Sequence, residues 1–214
     1  MITASQQSTG GRIVVLNGFP ATGKLTILKE AKKLLPETTT CLMDNHLLID
    51  PVAAIIPDRS PEHHELRRLV RAPIFQKLRQ RAQAGYTILM TACLAEEVKE
   101  NVQCFREHLD LVRGTDVPIF WVTAQCDGEV LEERISSPER CRGTKTKLTD
   151  VHALRDLLLS YTLVVPREDV VVGAAHLVVA TLDANGPVQR SVDSLMSIIG
   201  CPLSSGDDRE RPCK

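Results

Sequence analysis

The stretch Gly18-Phe19-Pro20-Ala21-Thr22-Gly23-Lys24-Leu25-Thr26 decides how this chain folds. An aliphatic run, Ile13-Val14-Val15-Leu16, leads into it, and Leu25, Leu28, Ala31 and Leu35 lead out at helical spacing. Strand, glycine-bounded loop, lysine, helix is the order a phosphate-binding loop needs. Glycine lets the backbone turn tightly and bring its N–H groups up to an anion. The helix that follows points its positive end at the same place. Gly18, Ala21, Thr22, Gly23, Lys24, Leu25 and Thr26 are therefore the expected nucleotide-binding residues. Lys24 would reach the outer phosphates, and Thr26 would supply the hydroxyl that holds Mg²⁺. The common form of the motif places that hydroxyl directly after the lysine, whereas here Leu25 intervenes. The competing interpretation is a strand–turn–helix joint that contains Gly-Lys by chance.

Composition limits what else the chain can be. Its 214 residues suffice for one domain with a single core, and 43% apolar with 25% charged residues is ordinary for a globular protein. A formal net charge of −1 provides no whole-molecule attraction to nucleic acid or to an anionic membrane. Aromatic residues, at 3%, are too few for a base-stacking surface. Any anion site must be local. The seven cysteines form no Cys-x-x-Cys pair, several lie in apolar runs, and their number is odd, which points to reduced thiols. The histidines show no metal-ligand spacing with them. No apolar run reaches the length of a membrane span, and a soluble, cytoplasmic protein is expected.

Along the chain, strands are expected at 13–16, 38–43, 86–90, 117–122 and 177–181, separated by helical stripes. Ser60-Pro61 is a good helix start, with serine as cap and proline at the first helical position, and Gly85 is the stop. Residues 47–60 read as irregular or partly helical, and 164–172 as a hairpin or loop. Aliphatic strands alternating with helices imply an α/β fold, a parallel sheet covered on both faces. The domain is expected to span 12–200, with disordered tails at 1–11 and 201–214. In such a sheet the C-terminal strand ends share one edge, where ligands bind.

That edge gathers the candidate chemistry. Asp44, at the end of the second strand, is positioned to take a proton from an acceptor hydroxyl or to organise Mg²⁺. A turn aspartate bonded to its own backbone is the alternative. Asn45 and His46 are candidate substrate contacts. So are Arg67 and Arg71, which share a helix face, although pairing with nearby glutamates would explain such arginines equally well. A basic loop at about 136–149, with Arg134 before it and Arg140 and Arg142 within it, has the charge a closing lid needs around transferring phosphate. The third strand ends in Thr91 rather than a carboxylate. Glu96 and Glu97 are expected at the start of the next helix.

With these residues in view, the chain resembles the P-loop small-molecule kinases related to nucleoside monophosphate kinases, which include gluconate and shikimate kinases and chloramphenicol phosphotransferase. In that group the hydroxyl commonly falls one place later, as Thr26 does. The chain is similar in particular to a kinase-like ATPase subgroup that shares Gly23-Lys24-Leu25-Thr26, the Asn45-His46-Leu47-Leu48-Ile49-Asp50 segment and Lys147-Leu148-Thr149-Asp150. Ala21 departs from the glycine usual there. The resemblance, over about 12–199, implies a three-layer P-loop NTPase fold with a five-stranded parallel sheet, helices on both faces and a short lid. It also implies ATP with Mg²⁺ and phosphoryl transfer to a small hydroxyl- or phosphate-bearing acceptor. Nucleic acid and membrane are not expected partners. The rival is a nucleotide-binding switch or interaction module with little turnover.

Overall fold

β1 (Arg12–Asn17) is the middle strand of a five-stranded sheet, with β3 (Thr87–Ala92) on one side and β4 (Ile119–Gln125) on the other. β2 (Thr40–Met43) lies outside β3, β5 (Leu177–Asp183) lies outside β4, and every pairing is parallel. The computed structural model describes residues 10–141, 147–166 and 176–201. Among them are eight α-helices: α1 (Lys24–Lys33), α2 (His46–Ala53), α3 (Pro61–Gln83), α4 (Lys99–Asp110), α5 (Gly128–Ile135), α6 (Pro138–Cys141), α7 (Val151–Ser160) and α8 (Val188–Ile198). None is long and apolar enough to cross a membrane.

Side chains along a strand point alternately to its two faces, so a run apolar at every position needs a cover on each. In β1, Ile13 and Val15 pack with Phe75 and Leu78 of α3 and Phe105 and Leu109 of α4. Val14 and Leu16 pack on the opposite side with Ile27 and Leu28 of α1 and Val192 and Leu195 of α8. All four β1 residues are fully buried, each contributing about 1.5–3 kcal/mol by leaving water. The three layers expected from the sequence are present.

Two local features hold the edge that carries the loops. Asn17, fully buried, accepts the Leu94 N–H at 2.9 Å and donates to the Leu94 and Val164 carbonyls at 3.2 and 3.4 Å. The Trp121 indole also donates to Val164 O, at 3.0 Å. Glu96 and Glu97 do not begin the next helix, as the sequence suggested, since α4 starts at Lys99. Their carboxylates instead accept the N–H groups of Val165 and Thr162, tying that segment across the strand ends.

The element limits differ modestly from those read in the sequence. Ser60 does cap α3, and Asp150 caps α7 by accepting from His152 and Ala153. In the 47–60 connection, expected to be irregular or partly helical, residues 47–53 belong to α2. Gly11, expected in a tail, is buried against α3, and a Cβ there would overlap the Ala82 carbonyl oxygen. The rest of the expected tails (1–9 and 202–214), Arg142 with residues 143–146 of the expected lid, and 167–175 lie outside the described residues.

Candidate functional site

The loop between β1 and α1 turns at two left-handed residues, Gly23 at φ 82° and Ala21 at φ 69°. Glycine adopts that region freely, whereas alanine does so at a cost of about 1–2 kcal/mol. Ala21 is thus a position of backbone strain in the loop. Lys24, the first residue of α1, folds back over the loop. Its ammonium donates to the carbonyls of Gly18 and Phe19, both at 2.7 Å, and to the Thr22 hydroxyl at 3.0 Å. Thr22 Oγ1 donates in turn to Phe19 O at 2.7 Å. Burial lowers the Lys24 pKa to about 8, and Arg140 pushes it the same way, while Cys93 and Asp44 oppose the shift. Thr26 is exposed in the first turn of the helix, and among the described residues its hydroxyl has no hydrogen-bond partner.

Asp44 is only 6% exposed. Its Oδ1 accepts the Thr91 hydroxyl at 3.0 Å and, more weakly, the His46 N–H at 3.4 Å. Thr91 Oγ1 also accepts the Asn45 N–H at 2.8 Å, so the end of β3 fixes the turn after β2. Thr91 thus aims the carboxylate of the neighbouring strand. His46 Nδ1 lies 3.1 Å from Asp50 Oδ1, one turn along α2.

These groups face one cavity of about 600 Å³ lined by the loop, Asp44, Asn45, His46 and Thr91. Five cationic side chains line it, Lys24, Arg59, Arg67, Arg140 and Lys147, against the single carboxylate of Asp44 among the described residues. Such a balance suits a ligand bearing several negative charges. Cys93 also lines it, and burial raises its thiol pKa, which leaves it protonated and a poor nucleophile.

The expected site residues divide clearly. Gly23, Lys24, Leu25, Thr26, Ala21, Asp44, Asn45, His46, Arg67 and Arg140 come together around the cavity. Arg140 donates from Nε to the Leu148 carbonyl at 2.8 Å. Gly18, Thr22, Arg134 and Arg71 are not among the cavity's lining residues, and Gly18 O and the Thr22 hydroxyl instead accept from the Lys24 ammonium. Arg134 donates to the carbonyls of Ala184 and Asn185 at 2.8 and 3.1 Å, which buttresses the turn after β5. Arg71, with 8% of its side chain exposed, pairs with Glu107 at 2.6 Å. Arg59 escapes sequence reasoning because it lies in the irregular connection, where periodicity carries no signal. Its one sequence cue is His63, four residues on.

A glycine-bounded loop closing on the first turn of a helix, at the edge of a parallel sheet of order β2-β3-β1-β4-β5, defines the P-loop kinase fold. Solved structures agree. The chain is similar to an unliganded sugar kinase from Janibacter sp. HTCC2649, with TM-score 0.59 and 15% identity over 89% of this chain and 95% of that one. It is similar also to a thymidylate kinase from Candida albicans, with TM-score 0.56 and 15% identity over 89% and 92% of the two chains. An APS kinase from Mycobacterium tuberculosis, in complex with AMPPNP and APS, gives TM-score 0.56 and 14% identity over 89% and 98%. At these identities the likeness establishes the fold. No curated protein sequence matches the chain. Residues 11–163 match the family described as chloramphenicol phosphotransferase-like protein, and the chain belongs to that family. Fold and family together define a phosphotransferase of the P-loop kinase class.

Proposed function

We propose that this protein transfers the γ-phosphoryl group of ATP to a hydroxyl or phosphate oxygen of a small molecule. The observation that carries this reading is the meeting of Lys24 and Asp44 in one cavity whose other charged walls are cationic. The loop N–H groups and the start of α1 hold the β- and γ-phosphates, with Lys24 exchanging its carbonyl acceptors for phosphate oxygens. The Thr26 hydroxyl and the Asp44 carboxylate are hard oxygen donors, the kind Mg²⁺ takes in ones and twos alongside water and phosphate. They fit that ion, which when bound neutralises phosphate charge. Asp44 accepts the proton of the acceptor hydroxyl as its oxygen attacks the γ-phosphorus. The new O–P bond forms, the bond from the γ-phosphorus to the bridging oxygen breaks, and ADP departs with that oxygen. Arg140, with Arg142 proposed on sequence grounds, stabilises the charge spread over the transferring group.

A nucleotide-binding module with little turnover is the second reading, favoured by Thr91 in place of a carboxylate at the end of β3. Thermal shifts with a non-hydrolysable ATP analogue and Mg²⁺, screened against a metabolite panel, address both. Stabilisation by one acceptor class beyond that given by the analogue alone supports transfer. A protein stabilised by nucleotide and by no acceptor supports the module.

A further inference from the structure

Three arginines, Arg67, Arg68 and Arg71, lie within about one turn of α3, and the protein neutralises two of them. Arg68 is held by Glu65 at 2.7 Å and Arg71 by Glu107 at 2.6 Å. Arg67 makes no hydrogen bond or ion pair among the described residues, and its Nε is buried without a partner. A buried donor left unsatisfied costs about 1–3 kcal/mol, more when charged. Burial pushes the Arg67 pKa downward, and the guanidiniums of Arg71 and Arg59 add to that push. Among the described residues no hydrogen bond or ion pair offsets that cost.

Arg67 also occupies a telling place. It lines the 600 Å³ cavity beside the phosphate loop and also a groove of about 480 Å³ between α3 and α4, and so, with Asn101, borders both. Arg59 lines the larger cavity with it and is held from behind. His63, fully buried, has Nδ1 2.7 Å from the Ile56 carbonyl and Nε2 3.3 Å from Arg59 Nη1. A carbonyl only accepts and a guanidinium only donates, so Nδ1 carries the proton and Nε2 receives the Arg59 N–H. Two guanidiniums that repel each other thereby line the same cavity.

We infer that the acceptor carries an oxyanion of its own, phosphate, sulfate or carboxylate, bound by the Arg67 guanidinium with Arg59 beside it. The inference deepens the phosphotransferase reading and rests on it for the word acceptor. The reacting oxygen would face Asp44 while the anion anchors the far end. Arg67 is then a binding residue, and His63 a positioning residue acting through Arg59.

The probe is inorganic phosphate, titrated at constant ionic strength into the full chain saturated with a non-hydrolysable ATP analogue and Mg²⁺, with Tm as readout. The wild type is expected to show a saturable rise. Arg67→Gln should need roughly tenfold more phosphate for half of it, and Arg68→Gln should match the wild type. A wild-type Tm that never saturates, or Arg67→Gln titrating like the wild type, overturns the inference. A parallel acetate titration separates a phosphorylated acceptor from a carboxylate one. If Arg67→Gln fails to fold, Arg67→Lys retains charge but not the fork, and phosphate affinity equal to wild type would count against the site. If the analogue does not bind, the phosphotransferase reading falls by itself. The same phosphate titration without nucleotide, run on Lys24→Ala beside Lys24→Ala/Arg67→Gln, then reads the Arg67 site by difference: a saturable rise that the double variant loses supports it, and two variants that titrate alike overturn it.

Discussion

The Thr91 hydroxyl, at the end of β3, donates to the Asp44 carboxylate at the end of β2 over 3.0 Å, and accepts the Asn45 N–H at 2.8 Å. One side chain on an inner strand therefore sets both the aim of the carboxylate and the turn that follows it. Thr91→Val keeps the shape and removes both bonds. It is expected to cost about 1–3 kcal/mol, because Asp44 and the Asn45 N–H lose a partner in a buried setting. Turnover should fall about tenfold or more, with Thr91→Ser close to wild type. Denaturant midpoints and ADP release, measured on the three proteins, check this.

Lys24 gives a pH signature. Burial lowers its pKa to about 8, so above that pH the free protein loses the ammonium. Phosphate favours the charged form, which raises the pKa in the complex and couples binding to proton uptake. Affinity for an ATP analogue should be flat below pH 8 as far as Lys24 is concerned, and should fall by up to ~10-fold per unit above it. The sign for stability is opposite. The cost of burying the charged lysine is fully present below pH 8 and is relieved as pH rises toward the ordinary value of 10.5. Calorimetric titrations from pH 6.5 to about 9.5 test the binding limb.

Ala21 sits at φ 69° in the phosphate loop. Ala21→Gly relieves that strain but adds freedom to the unfolded chain, and a net gain of up to about 1 kcal/mol is expected. Nucleotide affinity should hold or improve. A loss of stability in chemical denaturation would mean that the left-handed turn is not held as described.

Arg134 is bound to the turn after β5 through two carbonyls at 2.8 and 3.1 Å. Arg134→Met should lower stability by about 1–3 kcal/mol. If Arg134 only buttresses that turn, turnover per folded molecule should change less than severalfold. A large loss in a variant with wild-type stability would instead assign it to the transferring phosphate.

What the sequence made legible follows from how locally each feature is encoded. β1 and its loop are a continuous aliphatic run and a glycine-bounded turn, and both can be read from adjacent residues. The helix start at Ser60-Pro61 and the cap at Asp150 are equally local. Arg71 is not assignable from sequence, because its partner Glu107 lies on a different helix and only packing brings them together. Glu96 and Glu97 look like helix-start charges, yet their partners, Val165 and Thr162, are more than sixty residues away. Arg59 and its support from His63 depend on a backbone path through the 47–60 connection that carries no periodic signal. Asp44 lies between: its edge is legible from topology, but its tether to Thr91 is not.

The most direct test compares wild type, Asp44→Asn and Lys24→Ala for acceptor-dependent ADP formation and for binding of a non-hydrolysable ATP analogue. Asp44→Asn should lose acceptor-dependent turnover by about 10²-fold or more while binding the analogue within a fewfold of wild type. Lys24→Ala should lose both. Wild-type protein that binds the analogue but forms no acceptor-dependent ADP across sugars, nucleosides and their phosphates, or an Asp44→Asn variant that turns over normally, would contradict phosphoryl transfer at this site.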